Sequence, residues 1–295
     1  MIRIITLLFF FLWNSSFSNE KIVTCSICGG LGNQLFQIAA TLAFAWDHGY
    51  EPIFPNIDQS VSRVSPRPVY WDSMFHKVAL YPSDTDLSRM TRYSEKLQFQ
   101  PIEPLSNEMV LQGHYCCGKY FDHHREKILE IFQLPPEMQA YVEQRYRQIV
   151  SQENENTVSI HIRLDDTFTT PCGGVIDFWR KPYDSYYDQA IALFPGDVTF
   201  VVFSDNSDWS REYMKTKLKG RRVVYCCDKD YLDIHLMGLC KHNIIVNSTY
   251  SWWGAYFNRN PKKIVVSPKF WQKKENTPYR PALLMPEWTL ISNIY

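Results

Sequence analysis

The 295-residue sequence has no excess of charge of either sign, because 31 basic side chains balance 31 acidic ones. Nucleic-acid binders usually present a basic surface, so this balance argues against that class of protein. The chain also lacks internal repeats and long low-complexity segments. Hydrophobic residues make up 45% of the chain and aromatic residues 15%, which is enough for one large or two modest domains.

The apolar run at residues 4–13 is shorter than the roughly 20 residues that a membrane span needs. It follows Arg3 and precedes Ser16 and Ser18, which form the small-x-small pattern of a cleavage site. A buried helix is the alternative, and it is less favoured because the run has no polar face. Residues 1–18 are therefore predicted to be a signal peptide or a short membrane anchor.

The eight cysteines are an even number, which is compatible with disulfides in an oxidising lumen. Cys25 and Cys28 form a CxxC pattern that would also suit redox chemistry or a metal. No second CxxC and no histidine pair follows at the spacing of zinc ligands. Structural thiols or disulfides are the favoured interpretation, and the pairing stays open.

Apolar strand patterns alternate with helical patterns in the second half of the chain. The predicted strands are residues 158–163, 198–204, 222–226, 243–246 and 263–267, and the predicted helices are residues 183–194, 209–218, 231–240 and 250–258. Such alternation predicts a parallel, doubly wound α/β sheet.

The first half is less regular. Its predicted strands are residues 21–28 and 109–114, and its predicted helices are residues 33–48, 119–132 and 136–150. The polar segment 151–157 separates the two halves, so we predict domains at residues 21–150 and 151–295.

Polar or glycine-rich turns follow several of the predicted strands. Four such segments are GGLGNQLFQ (residues 29–37), HIRLDD (161–166), FSDNSDW (203–209) and NIIVNSTYSWWGAYFN (243–258). In open α/β sheets, ligands bind beyond the carboxyl ends of the strands, and helix N-termini favour anions. The four turns together predict a site for a phosphate-bearing ligand.

Each turn also has a simpler interpretation. The glycine-rich turn is neither GxGxxG nor a P-loop, and tight strand–helix turns use glycine for backbone reasons as well. Arg163 suits a diphosphate because its guanidinium is forked and permanently charged, and Asp165 or Asp166 could hold it in place. The same groups could form a structural ion pair. Asp205 could contact a nucleotide or cap the next helix.

The four segments, with GHYCCGKYF (residues 113–121), resemble glycosyltransferase family 11, which includes the α-1,2-fucosyltransferases. The resemblance covers about residues 23–271. It implies an α/β fold of the GT-B type, in which two Rossmann-like domains face a cleft. The N-terminal domain would be the acceptor side and the C-terminal domain would bind the donor.

The implied enzyme is a galactoside α-1,2-fucosyltransferase that moves L-fucose from GDP-fucose with inversion. The implied partners are the nucleotide sugar and a galactose-terminated glycan, without a metal or other cofactor and without nucleic acid. The leader would bring the enzyme to a membrane or a Golgi-type lumen in a eukaryote, and to a membrane in a bacterium.

The resemblance assigns roles to individual residues. Arg163 would stabilise the departing β-phosphate, and Asp166 and His161 are candidates for the general base. The residues predicted to bind the donor are Gly32, Asn33, Asp205, Asn247, Ser248, Thr249 and Ser251.

The chain departs from the family pattern at Leu164 and Asp165, where the family usually has Arg-Gly. A negative charge beside the donor phosphates opposes binding at close range. Two alternatives therefore stay open: a non-catalytic glycan- or nucleotide-binding relative, and a transferase that uses another nucleotide sugar.

Overall fold

The computed structural model describes residues 21–60, 66–78, 80–81, 87–151, 156–164, 184–271 and 283–293. The predicted leader, residues 1–18, lies outside these ranges. Among the described helices, none combines the length and the apolar character that crossing a bilayer would take.

The regular elements of the first half are β1 (Ile22–Cys25), α1 (Leu31–His48), β2 (Glu51–Pro52), β3 (Phe54–Pro55), β4 (Gln59–Ser60), β5 (Arg67–Pro68), β6 (Leu80–Tyr81), β7 (Thr91–Ser94), β8 (Glu108–Gln112), α2 (Arg125–Ile131), α3 (Pro136–Arg145) and α4 (Arg147–Val150). Those of the second half are β9 (Thr157–Ile162), α5 (Asp184–Ala192), β10 (Thr199–Ser204), α6 (Ser207–Lys217), β11 (Arg222–Cys226), α7 (Asp230–Leu239), β12 (His242–Ile244), α8 (Thr249–Phe257), β13 (Val265–Pro268) and β14 (Thr289–Ile291).

Two parallel sheets organise the molecule. The first has the strand order β2-β1-β8-β7, and the second has the order β11-β10-β9-β12-β13-β14. Small ladders join β3 to β6 and β4 to β5. The GT-B-like class, with two Rossmann-like halves, is confirmed. The domain limits at residues 21–150 and 151–295 stay a prediction.

The helix predicted at residues 33–48 is α1, and it begins two residues earlier. It is buried along most of its length because it lies between the first sheet and the second half of the chain. It ends at Gly49, whose φ of 68° is left-handed and therefore favours glycine.

The helix predicted at residues 119–132 is confirmed from Arg125 onward, as α2, and is wrong for the residues before it. The chain forms two short 3-10 turns, Gly118–Tyr120 and Asp122–His124, before α2 begins. Phe121, between the turns, has a non-helical φ of −146° and buries its ring completely. That ring stacks on Trp253, with 5.3 Å between the centroids, so tertiary packing replaces the first turns of the helix.

The helix predicted at residues 136–150 is also interrupted. Tyr146 separates α3 from α4, with a backbone φ of −110°. Its hydroxyl donates to a carboxylate oxygen of Asp228 at 3.3 Å. The break places this phenol against the second half of the chain.

The two halves share one hydrophobic core. Phe36 of α1 lies 4.6 Å from Trp252 and 5.2 Å from Trp253 of α8, measured between ring centroids. Both tryptophans are fully buried. A second core covers the other face of the six-stranded sheet. The two sheets are therefore held together by packed aromatic side chains.

Among the seven cysteines in the described part of the chain, no two form a disulfide with each other, and Cys227 is exposed. Cys25 is buried in β1, and burial raises its pKa to about 12. This environment fits a structural thiol. Cys172 lies outside the described residues.

Candidate functional site

The predicted convergence of strand ends is present in the six-stranded sheet. β9 lies between β10 and β12, with Ile162 opposite Ser204 and Ile160 opposite Ile244. All three strands are parallel, so the segments that follow them emerge at one edge of the sheet. Those segments carry Arg163, Asp205 and the turn before α8.

Arg163 and Asp205 form an ion pair at this edge. The Nε of Arg163 lies 3.4 Å from Oδ2 of Asp205, with side chains 32% and 16% exposed. The backbone N–H of Leu164 donates to both carboxylate oxygens, at 3.0 and 3.2 Å. Asp205 therefore fixes the position of Arg163, a task that the sequence assigned to Asp165 or Asp166.

Asp165 and Asp166 lie outside the described residues, so the structure places neither. Leu164, where the chain departs from the family pattern, packs its side chain against the core of the second half. The signal that could have identified Asp205 was its place directly after the strand that neighbours β9.

His161 is buried, with its ring 5.3 Å from that of Tyr250. Its Nδ1 has no hydrogen-bond partner among the described residues. Burial, and then the charge of Arg163, lower the pKa of His161 to about 3. A general base works best with a pKa near the working pH, so His161 is poorly suited to that role.

The glycine-rich turn of the first half meets the polar turn of the second half. The Thr249 hydroxyl donates to Oδ1 of Asn33 at 2.9 Å. A Cβ on Gly32 would lie 2.5 Å from the carbonyl carbon of Thr249 and from the nitrogen of Tyr250. The N-termini of α1 and α8 are thus adjacent, and their positive dipole ends favour an anion.

The other predicted donor-binding residues divide into two groups. Asn247 and Ser251 are buried, and they shape the turn. The Asn247 amide donates to the Trp271 carbonyl at 3.2 Å, and Ser251 Oγ accepts from the Val246 N–H at 3.3 Å. Ser248 and Thr249 are half-buried at the start of α8.

Asn247, Ser248 and Thr249 also match the N-x-S/T pattern of an N-glycosylation site. The Asn247 side chain is buried and its amide is bonded to the protein backbone, so it is closed to a glycan.

A further polar contact between the halves, from Tyr70 to Asp230, was not found from the sequence. The Tyr70 hydroxyl donates to a carboxylate oxygen of Asp230, and the Tyr250 hydroxyl donates to the Asp230 carbonyl at 2.6 Å. Burial raises the pKa of Asp230. Tyr70 belongs to a stretch without clear periodicity, so no sequence signal pointed to this contact.

Two Rossmann-like halves that meet at the N-termini of α1 and α8 define the class of GT-B-like glycosyltransferases. The sequence model of glycosyl transferase family 11 matches residues 95–292. The chain belongs to this family, as the sequence motifs predicted.

Curated relatives agree with this assignment. The O-antigen biosynthesis glycosyltransferase WbnK of Escherichia coli is 34% identical over 197 residues, a match that covers 61% of this chain and 62% of WbnK. An α-1,2-colitosyltransferase of Escherichia coli is 24% identical, covering 86% of this chain and 94% of that protein. Galactoside α-(1,2)-fucosyltransferase 1 of Ateles belzebuth is 24% identical, covering 90% and 73% respectively.

Solved structures show the same fold. A mutant of Arabidopsis thaliana FUT1 in complex with GDP superposes with a TM-score of 0.52 at 12% identity, covering 85% of this chain and 71% of that one. Fucosyltransferase NodZ from Bradyrhizobium superposes with a TM-score of 0.50 at 12% identity, covering 80% and 93%.

Proposed function

We propose that this glycosyltransferase moves L-fucose from GDP-fucose to the 2-hydroxyl of a terminal galactoside, with inversion at the anomeric carbon. Family membership and the resemblance to galactoside α-(1,2)-fucosyltransferase 1 support the donor and the linkage. The observation that carries the proposal is the meeting of the Arg163 strand end with the N-termini of α1 and α8.

A chain of contacts among the described residues links Arg163 to the N-termini of α8 and α1. Arg163 follows His161 by two residues, and the His161 ring packs on Tyr250 in the first turn of α8. Thr249, the preceding residue, is hydrogen-bonded to Asn33 at the start of α1. A fixed guanidinium and two positive helix ends suit the diphosphate of a nucleotide sugar.

In the proposed reaction, an acceptor hydroxyl attacks the anomeric carbon while the bond from that carbon to the diphosphate oxygen breaks. Negative charge grows on the diphosphate, and the Arg163 guanidinium stabilises that charge. Arg163 need not reorganise, because Asp205 already holds its side chain in place. The hydroxyl proton passes to a carboxylate, for which we retain Asp166. Neutral His161 takes no part in the proton transfer, and its ring packs against that of Tyr250. No step is assigned to a metal or cofactor.

Acceptor analogues test the linkage directly. Purified protein with GDP-fucose should fucosylate a methyl galactoside, and the 2-deoxy galactoside should give no product because it lacks the attacking hydroxyl. Nuclear magnetic resonance of the product reports both the linkage and the anomeric configuration. Product from the 2-deoxy acceptor would refute the proposed linkage.

The Arg163→Ala variant tests the site. Removing one pre-organised donor typically lowers kcat by about 100-fold or more, and we expect a loss of that size. Arg211→Ala is the matched control, because Arg211 is an exposed arginine on α6 that stacks on Tyr225. Wild-type turnover in Arg163→Ala would remove Arg163 from this role.

The colitosyltransferase relative supports a second donor, because its match covers 94% of that protein. Equal concentrations of GDP-fucose and a colitose nucleotide, offered in competition, separate the two donors by product mass. Calorimetric binding of GDP without product from any donor would instead support a non-catalytic relative.

A further inference from the structure

A cluster of two histidines and an aspartate lies at the end of α1 opposite the donor turn. The Nε2 of His123 is 2.8 Å from Oδ2 of Asp47, and the Nε2 of His124 is 2.8 Å from Oδ1. The three ligand atoms all lie within 4.8 Å of one another. From these contacts we propose a binding site for a divalent transition-metal ion such as Zn²⁺, formed by Asp47, His123 and His124.

The donor set and its spacing suit such an ion. Zinc binds imidazole nitrogen and carboxylate oxygen at about 2.0–2.2 Å, which places the ligands of a tetrahedral ion roughly 3.3 Å apart. The ligand atoms of this cluster are 2.8 Å apart in each histidine–aspartate pair and at most 4.8 Å apart overall, a range that includes this distance. The side chains of His123, Asp47 and His124 are 48%, 37% and 25% exposed, so an ion can enter and keep water as its fourth ligand.

The backbone on both sides of the cluster is held in place. Asp47 lies in the last turn of the buried helix α1, and the neighbouring Trp46 packs edge-on against the His124 ring at 5.2 Å. Asp122, directly before the two histidines, accepts from the Tyr256 hydroxyl of α8 at 3.0 Å. Rigid supporting elements are what a metal site needs to keep its geometry.

The position of the cluster separates it from sugar transfer. Asn33 and Asp47 are fourteen positions apart on α1, which corresponds to about 21 Å along the helix. A metal here would join the end of α1 to the turn that leads into α2. Its expected effect is therefore on stability, and the inference stands whether or not the proposed function is correct.

Zinc titration of protein without a histidine tag tests the site. After dialysis against a chelator, the protein should take up one equivalent of Zn²⁺ with micromolar affinity in competition with a chromophoric chelator. Saturating Zn²⁺ should raise Tm by roughly 2–5 °C, because a ligand that binds the native state stabilises it. A Kd of about 0.1 mM or weaker, 100-fold above the expected value, would contradict the proposal and leave the cluster as an ion pair only.

Variants locate the ion. Asp47→Asn and the double change His123→Gln with His124→Gln should each weaken Zn²⁺ binding at least tenfold and abolish the rise in Tm. His76→Gln is the matched control, since His76 is an exposed histidine of the same half outside the cluster. Unchanged binding in the cluster variants would place the metal elsewhere and overturn the assignment.

Cobalt substitution gives a readout that is independent of stability. Co²⁺ bound by nitrogen and oxygen should show visible d–d bands without a thiolate charge-transfer band. A thiolate band would point to a cysteine such as Cys227 and would contradict the proposal.

Discussion

Gly32 touches the backbone of Thr249, although 217 positions separate the two residues in the numbering. The approach is possible because glycine has no Cβ, and it sets the distance between the N-termini of α1 and α8. The Asn33–Thr249 hydrogen bond lies directly beside it.

Gly32→Ala should destabilise the protein, because its Cβ would lie 2.5 Å from two backbone atoms that cannot swing aside. Overpacking of this kind costs about 1–3 kcal/mol. Urea denaturation measures the change in the free energy of unfolding. Gly30→Ala is the control: its φ is −78° and its Cβ would meet nothing within 4 Å, so it should change stability little. Equal losses in both variants would contradict the close contact.

Thr249→Val keeps the shape of the side chain and removes the hydroxyl that Asn33 accepts from. The loss of one partly buried hydrogen bond should lower the free energy of unfolding by about 0.5–1.5 kcal/mol. Thr249→Ser retains the hydroxyl and serves as the control. If valine were as stable as threonine while serine were less stable, the methyl group, not the hydrogen bond, would matter here.

Asp205→Asn should weaken the hold on Arg163, since an amide cannot pair with the guanidinium charge as a carboxylate does. We expect kcat to fall by roughly tenfold to 100-fold, because a misplaced catalytic group costs about that much. Tm should change little. The control is Asp208→Asn, an exposed aspartate in the first turn of α6. Normal kcat in Asp205→Asn would show that Arg163 needs no such support.

Asp233 should make the protein less stable as the pH rises from about 4 to 7. Burial raises the pKa of Asp233 from 3.8 to about 7, so the native state holds a proton that the unfolded state has lost. The slope is at most about 1.4 kcal/mol per pH unit. Asp233→Asn should flatten this slope and raise the free energy of unfolding at pH 7, because the asparagine amide does not ionise.

Urea denaturation at several pH values measures this dependence. The amide oxygen of the asparagine can still accept the Asp228 N–H, as the carboxylate does at 3.2 Å. Asp208→Asn again serves as the exposed control. A slope in Asp233→Asn as steep as in the wild type would assign the effect to other groups.

Local sequence patterns identified most of the second half. The alternation of apolar strand patterns and helical patterns predicted the boundaries of β9 to β13 and of the intervening helices to within about two residues. It succeeded because the periodicity of burial is a local property of the chain. The same patterns failed where a contact from far along the chain intervened. Phe121 interrupts a helical pattern because its ring is held against Trp253.

The sequence by itself determined the family, the parallel order of strand and helix, and the polar residues that follow the strands. The tertiary structure alone decided which partner, how much burial and which pKa each of those residues has. It paired Arg163 with Asp205, buried Asn247 and Ser251, and lowered the pKa of His161. It also brought Asp47 beside His123 and His124. Motifs record residue types at short spacing, whereas charge, burial and hydrogen bonding depend on neighbours that only the folded chain supplies.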